Sequence, residues 1–461
     1  MNHKMRIEPD SMGPVSVPSD AYFGPQTARA ISNFRLSGVP ISSLPDLLHA
    51  LALIKLASVR ANRASSDMPT EKADAIEAAC QDVLAGGLND WFPLDVFQGG
   101  AGTSTNMNMN EVLANRALEH LGVPKGRYDI IHPNDDVNMS QSTNDVYPTA
   151  VRLAVLIANK RLSGAVEKLA VNFRQKAEEF KDISKLGRTQ LQDAVPMSLG
   201  AEFSAFATAF EEDAEKLDQV AGIFLEINLG GTAIGTSINA NAGYRSRVVR
   251  ELGSVAGFPF VAANNLIEAS WDTGAFVLYS GMLKRVAIKL SKVANDLRLL
   301  ASGPRGGLGE ISLPAMQPGS SIMPGKVNPV IPEMVNQAAF FVAGTDMTIT
   351  MASEAGQLQL NAFEPVIAYG LLTNLKLLTN AVDALSENCV AGIEANVGNC
   401  MSHLDASMAY ATVLAPVLGY QRAAELAKEA LRTGQSLRQV LACLPDGLRD
   451  KAYSVLTTYV A

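Results

Sequence analysis

Two stretches of the chain carry apolar residues at helical spacing. Leu162, Val166, Leu169, Phe173, Ala177 and Phe180 follow one another at intervals of 4, 3, 4, 4 and 3. Val286, Leu290, Val293, Leu297 and Leu300 do so at 4, 3, 4 and 3. Such intervals line one face of a helix, so each stretch predicts a long helix with a buried stripe. Proline placement agrees, because proline is absent from 149 to 195, from 197 to 258 and from 260 to 303. Those gaps leave room for long helices, and Gly303-Pro304 stops the second stripe. Antiparallel long helices packed as a bundle bury such stripes, so the expected fold is mainly all-α. Residues 1–143 read as an N-terminal domain of shorter segments rich in turn signals. Residues 144–398 read as the central helical bundle, and 399–461 as a small helical C-terminal domain. The clearest helix of that last domain is "YQRAAELAKEALRTGQSLRQVL".

Composition narrows the class. The 461 residues are 48% hydrophobic and 18% charged, as in a soluble globular protein. A net charge of −8 argues against nucleic acid or an anionic membrane as the main partner. The start "MNHKMRIEPD" lacks the apolar core of a signal peptide, and "LLHALALIKLASV" is interrupted by His49 and Lys55. A cytoplasmic protein is expected. Cys80, Cys389, Cys400 and Cys443 show no CxxC pairing and read as small buried hydrophobes. The five histidines, at 3, 49, 120, 132 and 403, have no metal-ligand spacing.

Four polar breaks between helices share one chemistry. "GGAGTSTNMNMNE" (99–111) offers Thr103, Ser104, Thr105 and Asn106, and "NMSQSTNDVYPT" (138–149) offers Ser142, Thr143 and Asn144 just before a helix. "GRTQLQDAVP" (187–196) offers Thr189 and Gln190 after a helix. "GSSIMPGKVNP" (319–329) offers Ser320, Ser321, Lys326 and Asn328, and its glycines and prolines make it a flexible loop. Singly, each break is most simply a helix cap or a turn. Together, hydroxyls, amides, helix N-termini and one lysine suit a small dicarboxylate. They also suit a transition state in which negative charge grows on one carboxylate. That chemistry is proton removal beside the carboxylate, followed by loss of a group from the neighbouring carbon. No histidine lies in the four breaks, and the residues alone leave the base open.

These segments resemble the fumarase/aspartase superfamily, whose signature G-S-S-x-M-P-x-K-x-N-P is matched at every defined position by residues 319–329. The similarity extends from "SMGPVSVPSDAYFGPQT" through "NMNEVLANRA" and "ASGPRGGLGEI" to the C-terminal helices. The resemblance implies a three-domain fold whose long-helix bundle assembles into a tetrameric core, with each active site drawn from three subunits. It implies reversible elimination from a substituted succinyl group, commonly releasing fumarate. Ser320 would be the general base, held as an alkoxide by backbone donors and a nearby cation, with Lys326 in the same loop. Thr103, Ser142, Thr143 and Ser321 would bind the carboxylate that becomes the aci-form. Thr189, Lys326 and Asn328 would bind the other carboxylate, Asn144 and Gln190 would lie near the amino group, and Glu333 would orient Gln190. No organic cofactor is implied, although activation by a divalent cation such as Mg2+ occurs in the family.

Branch-specific residues resemble the aspartase side. "GGAGTS", "QSTND", "KVNPVIPE" and "EAGQLQLN" differ from their fumarase counterparts, and Gln190 stands where fumarases carry a catalytic histidine. Glutamine hydrogen-bonds a carboxylate or ammonium but cannot shuttle a proton. Elimination of ammonia from L-aspartate is therefore the expected reaction. "HPNDDVN" (132–138) is similar to the fumarase form, while Ser237 in "GTSIN" and Ala415 in "ATVLAP" depart from both branches. Malate, an N-substituted aspartate, or a member without catalysis remain the other readings. The intact Ser320, Lys326 and Asn328 set speaks against the last.

Overall fold

The computed structural model describes residues 4–64 and 68–458, so His3 and the last three residues of the expected C-terminal domain lie outside it. A hairpin of β1 (Met5–Asp10) and β2 (Gly13–Pro18) precedes α1 (Pro25–Asn33), α2 (Pro45–Arg63), α3 (Thr70–Leu84) and α4 (Thr103–His120). Next come α5 (Thr143–Glu179), a hairpin of β3 (Ser184–Thr189) and β4 (Gln192–Ser198), α6 (Leu199–Ala221) and α7 (Tyr244–Ala256). Three long helices follow: α8 (Gly274–Leu300), α9 (Val330–Glu354) and α10 (Glu364–Asn388). Shorter ones close the chain: α11 (Val397–Ala406), α12 (Ala409–Leu418), α13 (Tyr420–Thr433), α14 (Leu437–Ala442) and α15 (Asp446–Thr458). Every sheet among the described residues has two strands, so the fold is mainly α-helical, as expected. No described helix is long and apolar enough to cross a membrane.

The chain divides into two compact units. The first takes Met1–Leu162, Lys216–Arg285 and Phe341–Leu377; the second takes Ser163–Glu215, Val286–Phe340 and Leu378–Ala461. In the first, α2 packs on α3 and α7, and α3 on α4. The start of α1 has no side-chain cap of its own. Glu111 of α4 caps it instead, accepting from the backbone N–H groups of Gly24, Gln26 and Thr27 at 2.8, 2.8 and 3.1 Å. In the second unit, Phe173 meets the rings of Phe203, Phe206 and Phe210 at 5.9, 5.6 and 5.7 Å. Leu186 of β3 joins a core with Leu404, Tyr410, Leu414, Leu426 and Leu441, which fastens the β3–β4 hairpin to the C-terminal helices. Both predicted stripes are buried, with Leu162, Val166, Leu169, Phe173, Val286 and Leu297 fully covered. Each such side chain contributes about 1.5–3 kcal/mol of transfer free energy.

The proline-free gaps do not map onto single helices. The first holds α5 and then a hairpin whose second strand contains Pro196. The second holds α6, an irregular run and α7, because glycine breaks the chain there as well as proline does. Gly230, Gly235 and Gly243 have φ of +89°, +87° and +73°, and an added Cβ on Gly235 would lie 2.3 Å from the Leu266 backbone. The helix expected over 420–441 is two helices. Gly434 ends α13 in the left-handed region, and a capping box of Ser436 and Gln439 starts α14. Cys80, Cys389 and Cys400 are buried as expected, but Cys443 is exposed.

Candidate active site

The first unit carries Thr103, Ser142, Thr143 and Asn144. Ser142 caps α5: its Oγ accepts from Asn144 N–H at 3.3 Å, and its own N–H donates to Asp145 at 2.9 Å. Asp145 also accepts from Gly230 and Thr232 N–H at 3.0 and 2.9 Å, which ties the start of α5 to the glycine-rich run. Burial pushes the Asp145 carboxyl up to about 6, against the pull of those N–H groups and of Lys55. Pro148, inside α5, has no N–H to offer the Asn144 carbonyl one turn back. The buried Asn228 side chain donates to that carbonyl instead, at 2.9 Å. The Asn144 side chain donates to Ala233 O at 2.8 Å. Thr103 is the first residue of α4, exposed, with its hydroxyl on Gly100 O at 2.7 Å.

Behind Thr143 lies a buried amide network. Lys55 Nζ donates to Asn138 Oδ1 and Gln141 Oε1, both at 2.9 Å. Asn138 Oδ1 also accepts from Asn106 and Asn110 at 3.2 and 3.1 Å. Asn106 Nδ2 reaches Thr143 Oγ1 at 3.1 Å. Burial lowers the Lys55 ammonium to about 7, against the opposing pull of Asp145. In the sequence, Lys55 registered only as an interruption of an apolar run; what it touches was not legible there.

The second unit carries the other six predicted residues. Thr189 and Gln190 follow a strand, not a helix: Thr189 ends β3, and Gln190 and Leu191 form the exposed two-residue tip before β4. Gln190 and Leu191 have φ of +55° and +61°, the left-handed pair that a tight hairpin needs. Gly187 allows the strands to approach, since a Cβ there would lie 2.8 Å from Val195 O. An ionic cluster holds the base of the hairpin. Buried Glu310 lies 2.9 Å from Lys185, 2.8 Å from Arg188 and 3.0 Å from His403. Burial pushes the Glu310 carboxyl up, but Lys185, His403 and Arg188 outweigh it and hold it below the usual range.

The 319–329 loop is neither helix nor strand, as expected. It closes on itself through Gly319 N–H to Lys326 O at 2.7 Å and Asn328 Nδ2 to Gly319 O at 2.8 Å. A Cβ on Gly319 would lie 2.6 Å from Lys326 O, so only glycine fits. Ser320 Oγ accepts from two backbone N–H groups, Ile322 at 3.2 Å and Met323 at 3.0 Å. Ser320 and Lys326 line one cleft with Met316, Met323, Pro324 and Val327. Donors aimed at an oxygen favour its anion, so the loop offers Ser320 two of the interactions an alkoxide needs. Ser321 and Lys326 are exposed and open to a ligand.

One expectation needs correcting beside that of Thr189 and Gln190. The 99–111 break is shorter than it reads, because α4 starts at Thr103 and Thr105 and Asn106 are buried in its first turn. Glu333, in the first turn of α9, lies 3.9 Å from Arg298 of the same chain. Ser237 has φ of +56°, which explains a glycine preference there, and its hydroxyl is engaged by Gly230 O at 2.8 Å. No group of three or more His, Cys, Asp or Glu side chains converges as a metal site among the described residues.

Residues 13–344 match the protein family described as Lyase, and residues 411–449 match the fumarase C C-terminus. The chain belongs to the fumarase/aspartase superfamily. Within that superfamily it is 54% identical to an aspartate ammonia-lyase of Pseudomonas aeruginosa, over 95% of this chain and 92% of the relative. A fumarate lyase:delta crystallin of Brucella melitensis, solved bound to cobalt, is 56% identical, with a TM-score of 0.95 over 98% of this chain and 100% of that one. A class II fumarase of Schistosoma mansoni is 33% identical, with a TM-score of 0.93 over 99% of each chain. The superfamily signature is the loop that presents Ser320.

Proposed function

We propose that the protein is an aspartate ammonia-lyase that converts L-aspartate reversibly to fumarate and ammonia by anti-elimination. The observation that carries the mechanism is the pair of N–H groups on Ser320 Oγ. As an alkoxide, Ser320 takes the Cβ proton, and the electron pair moves into the adjacent carboxylate to give the aci-form. Collapse of that dianion forms the C=C bond and expels the amino group as ammonia. Thr103, Ser142, Thr143 and Ser321 hold the aci-carboxylate, where extra donors count most because charge grows there. Thr189, Lys326 and Asn328 hold the other carboxylate, and Asn144 and Gln190 face the amino group. The relatives named aspartate ammonia-lyase, together with Gln190 in place of a proton-carrying histidine, favour aspartate over malate. With the Ser237 hydroxyl engaged by Gly230 O, nothing at that position favours an N-substituted substrate.

The working form is a cytoplasmic homotetramer whose sites each draw on three subunits. Support comes from α9, where Met334, Phe340, Phe341, Met347 and Met351 are 39%, 66%, 50%, 62% and 65% exposed along one face. A stripe of that kind on a long helix calls for another copy to cover it. In this reading no organic cofactor takes part, and chelation followed by add-back of Mg2+ tests activation by a divalent cation. The deciding measurement is fumarate formation by ultraviolet absorbance with aspartate and malate offered in parallel. Turnover of aspartate alone is expected. Turnover of malate alone would make the protein a fumarase, and silence with both would overturn the reading.

A further inference from the structure

Lys55 anchors a chain of amides whose orientation it dictates. An ammonium has hydrogens to donate and no acceptor, so Asn138 and Gln141 must each turn an oxygen toward it. With its oxygen turned inward, Asn138 requires an amino group from both Asn106 and Asn110. The same Nδ2 of Asn106 then donates its second hydrogen to Thr143 Oγ1. The amide oxygen of Asn106 is buried and has no partner among the described residues, so its own acceptor does not choose this orientation. The ammonium does. A hydroxyl that accepts from Asn106 keeps its single hydrogen for another partner, and a carboxylate can only accept.

We propose that Lys55 is a positioning residue that, through Asn138 and Asn106, fixes the Thr143 hydroxyl as a hydrogen-bond donor to the substrate carboxylate. The proposal rests on the reading of Thr143 as a carboxylate ligand. Lys55, Asn106 and Asn110 are 1%, 1% and 0% exposed, so none of them meets substrate directly. Without the ammonium, only the 3.3 Å bond from Asn138 Nδ2 to the Gln141 carbonyl still opposes a turn of its amino group inward. Asn106 then turns with it and presents its oxygen to Thr143, which consumes the hydroxyl hydrogen.

The test is a double-mutant cycle on the full-length chain, with kcat and KM for aspartate measured for Lys55→Met, Thr143→Val and the pair. Each single change is expected to lower kcat/KM roughly ten- to a hundredfold, the range for a hydrogen bond to a charged group. The loss should fall mainly on kcat, because the carboxylate gains charge in the transition state. Combined with Thr143→Val, the lysine change should cost no further factor beyond about two. Independent, multiplicative losses would overturn the proposal and leave Lys55 a structural residue. Full turnover by Thr143→Val alone would instead remove the carboxylate role of Thr143, and the proposal with it. Should Lys55→Met fail to assemble, Asn106→Leu breaks the same link with the lysine in place, and the same cycle decides.

Discussion

At the scale of single residues, the sequence motif points to the hydroxyl proposed to react, and burial decides the rest. Ser320 was legible because its loop matches a signature at fixed spacing. Glu364 was not, because nothing in "NAFEPV" tells how deeply it is buried. Its carboxyl is 3% exposed, with Oε2 unpartnered among the described residues. Burial raises it to about 8 from an ordinary 4.5, only partly offset by Arg152. Between those values the folded chain holds a proton that the unfolded chain releases. Stability from this group is therefore complete below about 4.5 and is lost as pH rises through about 8. Thermal melts of Glu364→Gln should show a flatter decline over that range and a higher midpoint than the parent at pH 8. Parallel curves would mean that the group ionises without penalty. Lys55 teaches the same lesson from the other sign of charge: an isolated lysine in an apolar run looks like noise until its amide partners are known.

Among the elements, helical stripes were legible and long-range fastenings were not. The period of Leu162 to Phe180 and of Val286 to Leu300 is local, and the structure buries all of it. The β3–β4 hairpin depends on Leu186 reaching the C-terminal core and on Glu310 pairing with Lys185 and Arg188, contacts that no short window contains. The cap that Glu111 gives α1 is equally distant in sequence. Asn228 offers the sharpest test of such a fastening. Asn228→Leu leaves the Asn144 carbonyl without the donor that replaces the missing Pro148 N–H. A buried unsatisfied carbonyl costs about 1–3 kcal/mol. Denaturant melts should show a loss of that size, and KM for aspartate should rise because Asn144 is no longer held. Unchanged stability would show that the first turn of α5 finds another partner.

For the whole molecule, the proposed ligands fall into two groups carried by different units, Thr143 with its neighbours in one and Ser320 with its loop in the other. If each site draws on several subunits, two kinds of inactive chain should repair one another. Ser320→Ala chains and Thr143→Glu chains, unfolded and refolded together, are expected to regain turnover that neither shows alone. Ser320→Ala mixed with Lys326→Met, both on one loop, should regain none. Equal silence in both mixtures would confine each site to one subunit. The apolar face of α9 carries a consequence for how the protein is made. If a sister chain covers it in the proposed tetramer, a newly completed chain exposes Phe340, Phe341, Met347 and Met351 until that partner arrives. Two fates then compete for the same surface, orderly pairing and indiscriminate clumping, and both quicken as chains become more concentrated. Recovery from denaturant should therefore pass through an optimum concentration, and cells that synthesise the protein quickly will depend on holding chaperones to keep that face covered.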